Sequence, residues 1–268
     1  MSQAVIPSVR LNTETAIPTL GLGVYQIPKG KETQQAVSWA FQVGYRHIDT
    51  ASLYKNEADV GRAIAQSGIP RRELFVTTKL WVTDFLFAER AFEKSRTLLG
   101  LDYIDLYLIH WPAPLGKRQA WSALEKIHAS GRAKAIGVSN YSMKDLEALA
   151  KYAKVVPAVN QVEFSPFLYR KELLEYCQAK GIQLEAYSPL TRGKRLDDGR
   201  IVEIATRYGK SPAQIMIRWS LQHGLAVIPK SSNQQRIIEN GQVFDFELSR
   251  EDMERMDGLH DNYRALFK

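Results

Sequence analysis

The segment Tyr45-Arg-His-Ile-Asp49-Thr-Ala-Ser-Leu-Tyr54-Lys-Asn-Glu57 begins as a short apolar strand and continues into a loop that carries an acid and a phenol. A charged side chain at the end of a buried strand is costly unless a cation pairs with it. Two later predicted strands end in ionisable groups: residues 75–79 end in a lysine, and residues 104–110 end in a histidine. We therefore expect three successive strand ends to bring their charged groups together around Asp49.

The alternation of a short apolar strand with an amphipathic helix repeats along the chain. Predicted strands cover residues 20–23, 45–49, 74–79, 103–110, 133–138, 158–163, 183–186 and 226–228. Predicted helices cover residues 32–43, 57–66, 85–99, 118–130, 171–180, 200–208, 234–241 and 249–259, and two more begin at the capping residues Ser142 and Ser211. Eight such units predict an α/β fold, a single (β/α)8 TIM barrel over residues 1–268, with a short N-terminal β-hairpin at residues 8–18 as a lid at one end.

The composition is that of a soluble globular protein. It has 45% hydrophobic and 24% charged residues, and it has no apolar run of the roughly 18 residues that a membrane span requires. The first ten residues lack the apolar core of a signal peptide. The single cysteine, Cys177, excludes an internal disulfide and a cysteine-based zinc site, and packing in a helix is its expected role. These features predict a cytoplasmic protein without a membrane partner.

The formal charge of +7 arises from 36 basic and 29 acidic residues, which are scattered along the chain. Because there is no run of five or more basic residues and no nucleic-acid-binding module, the charge favours an anionic small molecule over nucleic acid. The segment Ile228-Pro-Lys230-Ser231-Ser232 ends the eighth strand and leads into a helix whose first turn holds Arg236. Such a segment offers amides, hydroxyls and cations to a phosphate, and a plain helix cap with surface charges is the alternative.

The strand ends also predict acid–base chemistry. Lys79 and Asp49 neutralise each other, and an ammonium beside a tyrosine hydroxyl is expected to lower the pKa of Tyr54 from its usual value of about 10. Tyr54 then serves as a general acid, while His110 orients a carbonyl oxygen by donating a hydrogen bond. A structural ion pair, a core histidine and a loop tyrosine are the alternative for each residue alone. Their joint placement favours catalysis.

Polar and aromatic residues at other strand ends predict a site for an amide-bearing ring. Ser139, Asn140 and Gln161 suit a carboxamide, and Tyr187 suits the ring face, although loop caps and buried polar groups would have the same composition. Gly21-Leu-Gly23 lacks the third glycine of a dinucleotide-binding turn, so a Rossmann fold is excluded. The aromatic residues expected at the same mouth are Tyr25, Trp81, Trp111 and Phe167.

Four motifs resemble the signatures of the aldo-keto reductases. They are Asp49-Thr-Ala-x-x-Tyr54-x-Asn56-Glu57-x-x-Val60-Gly61, Leu101-Asp-Tyr-Ile-Asp105-Leu-x-Leu-Ile-His110-Trp-Pro112, Gly137-Val-Ser-Asn140-Tyr and Ile228-Pro-Lys230-Ser231. They follow one another over nearly the whole chain, and they are most similar to those of the bacterial 2,5-diketo-D-gluconate reductases. The resemblance implies an NADPH-dependent reductase that needs no metal and acts on small carbonyl compounds such as methylglyoxal and diketo sugar acids. For a barrel of this architecture a monomer is the default expectation.

The resemblance also implies a role for each matching position. It makes Tyr54 the proton donor of a catalytic tetrad whose members are Asp49, Tyr54, Lys79 and His110. Residues implied to hold the nicotinamide are Ser139, Asn140, Gln161 and Tyr187. Residues implied along the pyrophosphate, the 2′-phosphate and the adenine are Ser188, Leu190, Lys230, Ser231, Ser232, Arg236, Glu239 and Asn240. The substrate pocket is implied to contain Tyr25, Trp81 and Trp111.

Some features depart from this pattern, and two other functions stay open. Ser165-Pro166 stands in place of a His-Pro pair, and only ten residues follow Gly258, so the long C-terminal loop of larger members is truncated. Together with a short loop at residues 191–199, this predicts a shallow, open pocket. One alternative is a regulatory module that binds NADPH with little turnover. Another is a barrel hydrolase that pairs Asp49 with Glu163.

Overall fold

Eight parallel strands form a (β/α)8 barrel, as the repeated alternation predicted. In the computed structural model, which describes residues 6–266, the strands are β3 (Leu22–Gly23), β4 (His47–Asp49), β5 (Phe75–Leu80), β6 (Ile104–Ile109), β7 (Ala133–Ser139), β8 (Val159–Glu163), β9 (Gln183–Tyr187) and β10 (Ala226–Ile228). They are hydrogen-bonded in chain order, and the bridges Leu20–Val227 and Gly23–Lys230 join β3 to β10. The ring is therefore closed.

The helices lie between and after the strands, close to the predicted positions. They are α1 (Lys31–Gln42), α2 (Glu57–Gln66), α3 (Ala88–Leu99), α4 (Lys117–Ala129), α5 (Met143–Ala150), α6 (Lys171–Ala179), α7 (Gly199–Tyr208), α8 (Pro212–Gln222), α9 (Gln234–Gly241) and α10 (Arg250–Asp257). The predicted capping boxes are present at Ser142, before α5, and at Ser211, before α8. In each case a side chain satisfies amides that the first helical turn leaves free.

Helix α3 begins later than the predicted residue 85. Residues 82–87 form a 3-10 helix instead, and Phe87 leaves the helical region with φ −123° and ψ 32°. Phe85 is buried, whereas Leu86 and Phe87 are 73% and 66% exposed. The burial of a single anchoring ring, which the 3.6-residue periodicity does not reveal, therefore sets where the helix starts.

A two-stranded hairpin closes the end of the barrel opposite the loops that follow the strands. It consists of β1 (Ser8–Arg10) and β2 (Ala16–Pro18), paired antiparallel. Its residue Ile17 packs into an apolar cluster inside the barrel, whose members are Leu11, Ile17, Phe75, Leu106, Leu108, Ala135, Ala158, Val159 and Ala226. Residues 1–5, half of the segment expected to lack a signal-peptide core, lie outside the described residues, as do the last two residues of the tail.

Gly61 in helix α2 allows this helix to pack closely against α3. A Cβ atom at position 61 would overlap the backbone carbonyl of Leu99, and backbone atoms cannot rotate away as a flexible side chain can. This close approach explains the glycine in the Val60-Gly61 motif.

Because a strand is pleated, every second side chain points into the barrel. The inward-pointing side chains form layers along the barrel axis, and these layers differ in polarity. The layer nearest the hairpin is apolar, as described above, whereas the layers toward the carboxyl ends of the strands contain ionisable and amide side chains. These inward-facing residues include His47, Asp49, Lys79, Gln161 and Glu185, all of them buried.

Across residues 6–266, helices long and apolar enough to cross a membrane are absent.

Candidate active site

Asp49 and Lys79 form a buried ion pair at the ends of the neighbouring strands β4 and β5. The Lys79 ammonium lies 2.7 and 2.8 Å from the two carboxylate oxygens of Asp49 and donates a third hydrogen bond to the Thr50 carbonyl at 2.9 Å. The Lys79 side chain is 0% exposed and the Asp49 side chain is 3% exposed. Burial raises the pKa of Asp49, and the contact with Lys79 opposes this effect. The pair is the one expected from the sequence.

Tyr54 lies in a short 3-10 turn after β4, above the ion pair. Its hydroxyl is 3.4 Å from the Lys79 ammonium, and its ring lies 5.5 Å from the His110 ring and 4.9 Å from the Tyr25 ring. The expected lowering of its pKa is wrong: burial, followed by the negative charge of Asp49, raises the pKa of Tyr54 well above its usual value. Because Asp49 partly offsets the charge of Lys79, the ammonium favours the Tyr54 phenolate less than a free cation would.

The remaining polar residues of this signature hold the loop in place. Thr50 donates to the buried side chain of Asn56 at 2.9 Å, and Asn56 donates to the Val24 carbonyl at 3.0 Å. Thr78 on β5 donates to Glu57 at 2.6 Å. These hydrogen bonds join the loops after β3 and β4 and thereby fix the position of Tyr54.

His110 follows β6 and completes the group. Burial, followed by the positive charge of Lys79, lowers the pKa of His110 to about 2, so the imidazole is neutral and carries one N–H. The Trp81 ring packs against it edge-on, with a centroid separation of 5.1 Å. A neutral imidazole can donate a hydrogen bond at neutral pH without becoming a competing acid.

The residues expected around the nicotinamide form a connected network. Ser139 donates to the Gln161 carbonyl at 2.8 Å, Asn140 donates to Ser139 and to the His110 carbonyl at 3.0 Å each, and Tyr187 donates to Asn140 at 2.8 Å. Asn140 adopts a left-handed backbone conformation with φ 65°. Such strain persists where the surroundings impose it, and it occurs often at binding sites.

Glu185 on β9 is a buried residue of this region that the sequence reasoning missed. The Gln161 amide nitrogen donates to Asp49 and to Glu185, both at 2.7 Å. The acidic neighbour of Asp49 is therefore Glu185 and not Glu163, which corrects the pairing behind the hydrolase alternative. Asp49 was identified as a charged residue at the end of an apolar strand, and the same cost of burial applies to Glu185 within Gln183-Leu-Glu-Ala-Tyr187.

One cleft of about 700 Å³ at the carboxyl ends of the strands is lined by Asp49, Tyr54, His110, Ser139, Asn140, Gln161 and Tyr187. Lys79 and Glu185 are fully buried and do not line it. The end beside Tyr54 and His110 contains the expected aromatic residues Tyr25, Trp81 and Trp111. The prediction that Phe167 also lies there is wrong. Phe167 is fully buried, and its carbonyl accepts hydrogen bonds from the C-terminal tail. Lining residues that the sequence reasoning missed are Gln26, Leu53, Arg192, Leu196, Asn233 and Leu266. They come from loops, where no periodic pattern marks them.

Glu163 holds the C-terminal tail at the mouth of the barrel. Its carboxylate accepts hydrogen bonds from the backbone amides of Ala265 at 2.5 Å and Leu266 at 3.4 Å. The short tail thus reaches the cleft and places Leu266 in its wall. Because both oxygens of Glu163 serve the tail, this carboxylate is not free to act as the second acid of a hydrolase.

The opposite end of the cleft has the features of an anion site. The expected residues all line it, namely Ser188, Leu190, Lys230, Ser231, Ser232, Arg236, Glu239 and Asn240. Burial, followed by repulsion from Arg192, lowers the pKa of Lys230. Asn233, which was not anticipated, caps helix α9 by accepting from the Arg236 amide at 3.0 Å. The amino end of α9 therefore faces the cleft beside two cationic side chains.

The loop after β9 bends over the same end. Ser188, Thr191 and Arg192 have positive φ values of 49°, 49° and 56°, and the Arg192 guanidinium donates to Gln26 at 2.8 Å. This hydrogen bond joins loops from opposite sides of the cleft. Among residues 6–266, groups of three or more His, Cys, Asp and Glu side chains that suit a metal ion are absent.

The chain matches one protein family over most of its length. Residues 19–261 match the profile of the Aldo/keto reductase family. The chain belongs to this family. It is therefore an oxidoreductase of the aldo-keto reductase type with the barrel fold described above.

Related proteins and structures agree with this assignment. This aldo-keto reductase is 48% identical to glyoxal reductase from Bacillus subtilis, covering 99% of the chain and 97% of that protein. It is 47% identical to the 9,11-endoperoxide prostaglandin H2 reductase of Trypanosoma cruzi over 96% and 92% of the two chains. A crystal structure of an aldo-keto reductase from a Medee basin deep-sea metagenome library superposes with a TM-score of 0.94 at 43% identity, covering 98% and 97% of the chains.

A further crystal structure contains a ligand. The Bombyx mori aldo-keto reductase in complex with NADP superposes with a TM-score of 0.93 at 36% identity, covering 98% of this chain and 96% of that one. The particular resemblance to 2,5-diketo-D-gluconate reductases does not follow from these matches. The family is established, and the substrate is a separate question.

Proposed function

We propose that this aldo-keto reductase is an NADPH-dependent carbonyl reductase that converts aldehydes and ketones to alcohols. The observation that carries the proposal is the arrangement of one cleft. Tyr54, His110 and Asp49 lie at its aromatic end, with Lys79 buried against Asp49, and Lys230 and Arg236 lie at its cationic end. A dinucleotide phosphate bound along this cleft would place its ring beside the acid.

Bound NADPH supplies the hydride, and the protein supplies the proton and the charge stabilisation. The Tyr54 hydroxyl donates its proton to the carbonyl oxygen, and its raised pKa ensures that it holds this proton at neutral pH. The Lys79 ammonium, 3.4 Å away, stabilises the phenolate that develops as the proton leaves. The neutral His110 donates its N–H to the same carbonyl oxygen and orients it.

The carboxamide-binding residues offer a suitable set of acceptors. Both amide protons of Gln161 are directed to acidic groups in the barrel, so its Oε1 atom faces the other way, toward the cleft that it lines. The protons of Ser139, Asn140 and Tyr187 are likewise used within the protein. This set suits the N–H₂ group of a nicotinamide, and Tyr187 provides a ring face beside it.

The cationic end supports NADPH over NADH. Lys230 and Arg236 offer two positive charges beside the Ser231 hydroxyl and the amino end of α9. These groups complement a 2′-phosphate, which carries about two negative charges, whereas a 2′-hydroxyl would leave the cations unpaired.

The catalytic end supports small carbonyl substrates with apolar or uncharged bodies. Tyr25, Leu53, Trp81 and Leu266 line it, and the cations of the cleft, which are Arg192, Lys230 and Arg236, lie at the other end. We therefore expect methylglyoxal, glyoxal and aromatic aldehydes to rank above diketo sugar acids such as 2,5-diketo-D-gluconate. The name of the Bacillus subtilis relative, glyoxal reductase, agrees with the first part of this ranking.

The test is NADPH oxidation, followed by absorbance, with these carbonyl compounds as substrates. Wild-type protein should turn over dicarbonyls, and Tyr54→Phe should lose at least about 100-fold in kcat, the usual contribution of a general acid. Binding of NADPH should be unchanged in Tyr54→Phe, which separates a chemical defect from a binding defect. A Tyr54→Phe protein with wild-type kcat would refute the mechanism.

The same assay decides between catalysis and the regulatory alternative. Tight NADPH binding without turnover of any tested carbonyl would favour the redox-sensing module. Failure to bind NADPH at all would refute both functions.

A further inference from the structure

Glu185 lies one layer below the mouth of the barrel. It is two residues before Tyr187 on β9, so both side chains point inward, and Glu185 is 0% exposed. Neither the proton transfer proposed for Tyr54 nor the anion site uses this acid. A buried carboxyl group without a role is unexpected, because burying it in ionised form is costly.

The ionisable groups around Glu185 come from neighbouring elements. Strand β4 contributes Asp49 and His47, whose imidazole nitrogen is 3.8 Å from Glu185. Strand β5 contributes Lys79, and the turn after β4 contributes Tyr54, whose pKa the charge of Glu185 raises. The strands that flank β9 offer no charge at this level: β8 presents the Gln161 amide, and β10 has the apolar sequence Ala-Val-Ile.

The charges of this group balance only when one carboxyl group is protonated. Lys79 is the one ammonium among the described residues of the group, and the carboxylate that it pairs with is that of Asp49. His47 is neutral, because burial and the charge of Lys79 lower its pKa to about 3. Glu185 is left without a cation, and burial, followed by the charge of Asp49, raises its pKa to about 8. Glu185 is therefore mainly neutral at pH 7 and ionises in mildly alkaline solution.

Glu185 is also linked to the cofactor site by direct contact. It accepts one amide proton of Gln161 at 2.7 Å, and Asp49 accepts the other. With both protons held below, Gln161 has to present its oxygen to the cleft. Glu185 thus supports the acceptor proposed for the nicotinamide carboxamide, and it lies beneath the ring-facing Tyr187.

We propose that Glu185 is a positioning residue that couples the oxidation state of the bound cofactor to a proton. It orients Gln161, and its carboxylate form favours the positively charged nicotinamide of NADP⁺ over the neutral ring of NADPH. Binding of NADP⁺ then releases a proton from Glu185 to solvent, whereas binding of NADPH does not. The inference rests on the proposed function, since it requires that the cleft bind NADP(H).

Thermodynamic linkage gives the sign of the effect. If NADP⁺ favours the ionised acid, then ionising the acid favours NADP⁺ by the same factor. At a pH below the pKa of Glu185, this residue has to lose its proton when NADP⁺ binds. At a pH above that pKa, Glu185 is already a carboxylate. The ratio of the dissociation constant of NADP⁺ to that of NADPH therefore falls as pH rises through about 8.

The test measures both dissociation constants by quenching of tryptophan fluorescence at pH 6, 7, 8 and 9. The wild-type ratio should fall at least about fivefold over this range, the lower end of typical coupling between sites. Both cofactors carry the 2′-phosphate, so its own titration cancels in the ratio.

Two variants separate the charge from the hydrogen bond. Glu185→Gln keeps an acceptor for Gln161 without a titratable group, so its ratio should not vary with pH. Glu185→Leu removes the acceptor as well and should weaken both cofactors. Calorimetry in buffers of different ionisation enthalpy should detect proton release on NADP⁺ binding at pH 7.5 in wild type and none in Glu185→Gln.

The outcomes distinguish this inference from the proposed function. A wild-type ratio that does not change with pH overturns the coupling without the need for any variant, even if the variants fail to fold. A ratio that changes equally in Glu185→Gln also overturns it, because another group would then be responsible. If neither cofactor binds at any pH, the proposed function itself fails.

Discussion

Replacing each member of the Asp49–Lys79 pair should change protein stability with opposite dependence on pH. The pair is buried, so a partner left alone cannot be solvated and will neutralise itself instead. At pH 7 the cost of removing a proton from lysine is up to about 4.6 kcal/mol, and that of protonating aspartate is up to about 4.2 kcal/mol, from ordinary pKa values of about 10.4 and 3.9. Asp49→Asn and Lys79→Met should therefore be similarly destabilised at pH 7.

The pH dependence follows from which group remains. In Asp49→Asn the lone lysine has a lowered pKa, so the unfolded state binds more protons and stability is recovered as pH rises, to a cost of about 1.9 kcal/mol at pH 9. In Lys79→Met the lone aspartate has a raised pKa, so stability is recovered as pH falls, to a cost of about 1.5 kcal/mol at pH 5. The double variant has neither charge and should lack both slopes.

Thermal unfolding of the wild type, the two single variants and the double variant at pH 5, 7 and 9 measures these stability differences. A loss of about 4 kcal/mol corresponds to a decrease in Tm of roughly 8 to 16 °C for a domain of this size. The double variant should be more stable at pH 7 than either single variant. Parallel pH profiles for the two single variants, or a double variant with the sum of both losses, would refute the view that the two charges depend on each other.

Three further predictions concern the cofactor end, the helix packing and the tail. Lys230→Ala and Arg236→Ala should each weaken NADPH binding about 10-fold, the loss expected for a charged hydrogen bond, with little effect on NADH; equal losses for both cofactors in fluorescence titrations would argue against a 2′-phosphate site. Gly61→Ala should destabilise the protein by about 1–3 kcal/mol because its Cβ overlaps backbone. Gly199→Ala, whose Cβ meets nothing within 4 Å, is the matched control, and equal urea midpoints would contradict the packing argument. Glu163→Gln should speed amide exchange in residues 259–266 and increase kcat/KM for bulky aldehydes relative to methylglyoxal, whereas unchanged exchange would show that the tail does not depend on this carboxylate.

Much of the fold and of the candidate catalytic group could be predicted from sequence. The eight strand–helix units were visible because the periodicity of apolar residues is a local property of each segment. Asp49, Lys79 and His110 could be brought together without coordinates because the carboxyl ends of parallel strands share one face of a barrel. The same reasoning was sufficient for Glu185, but it was applied only to strand ends, and Glu185 lies within its strand.

The loop contributions could not be predicted in this way. Leu266 reaches the cleft because Glu163 binds the backbone of the tail, and backbone amides carry no sequence signature. The prediction for Phe167 failed because the path of the loop after β8, and not the type of residue, decides which ring faces the cleft. Arg192 and Gln26 meet across the cleft although 166 positions separate them.

The sequence by itself determined the barrel, the order of its units and the chemical types at the strand ends, because these depend on local periodicity and on one rule of topology. Only the tertiary structure decided how the charges are shared. Burial and the negative charge of Asp49 raise the pKa of Tyr54, and the same two causes raise the pKa of Glu185, so that Glu185 retains a proton. Charge balance depends on which groups are in contact and on how little water reaches them, and neither quantity is encoded in a single segment of the chain.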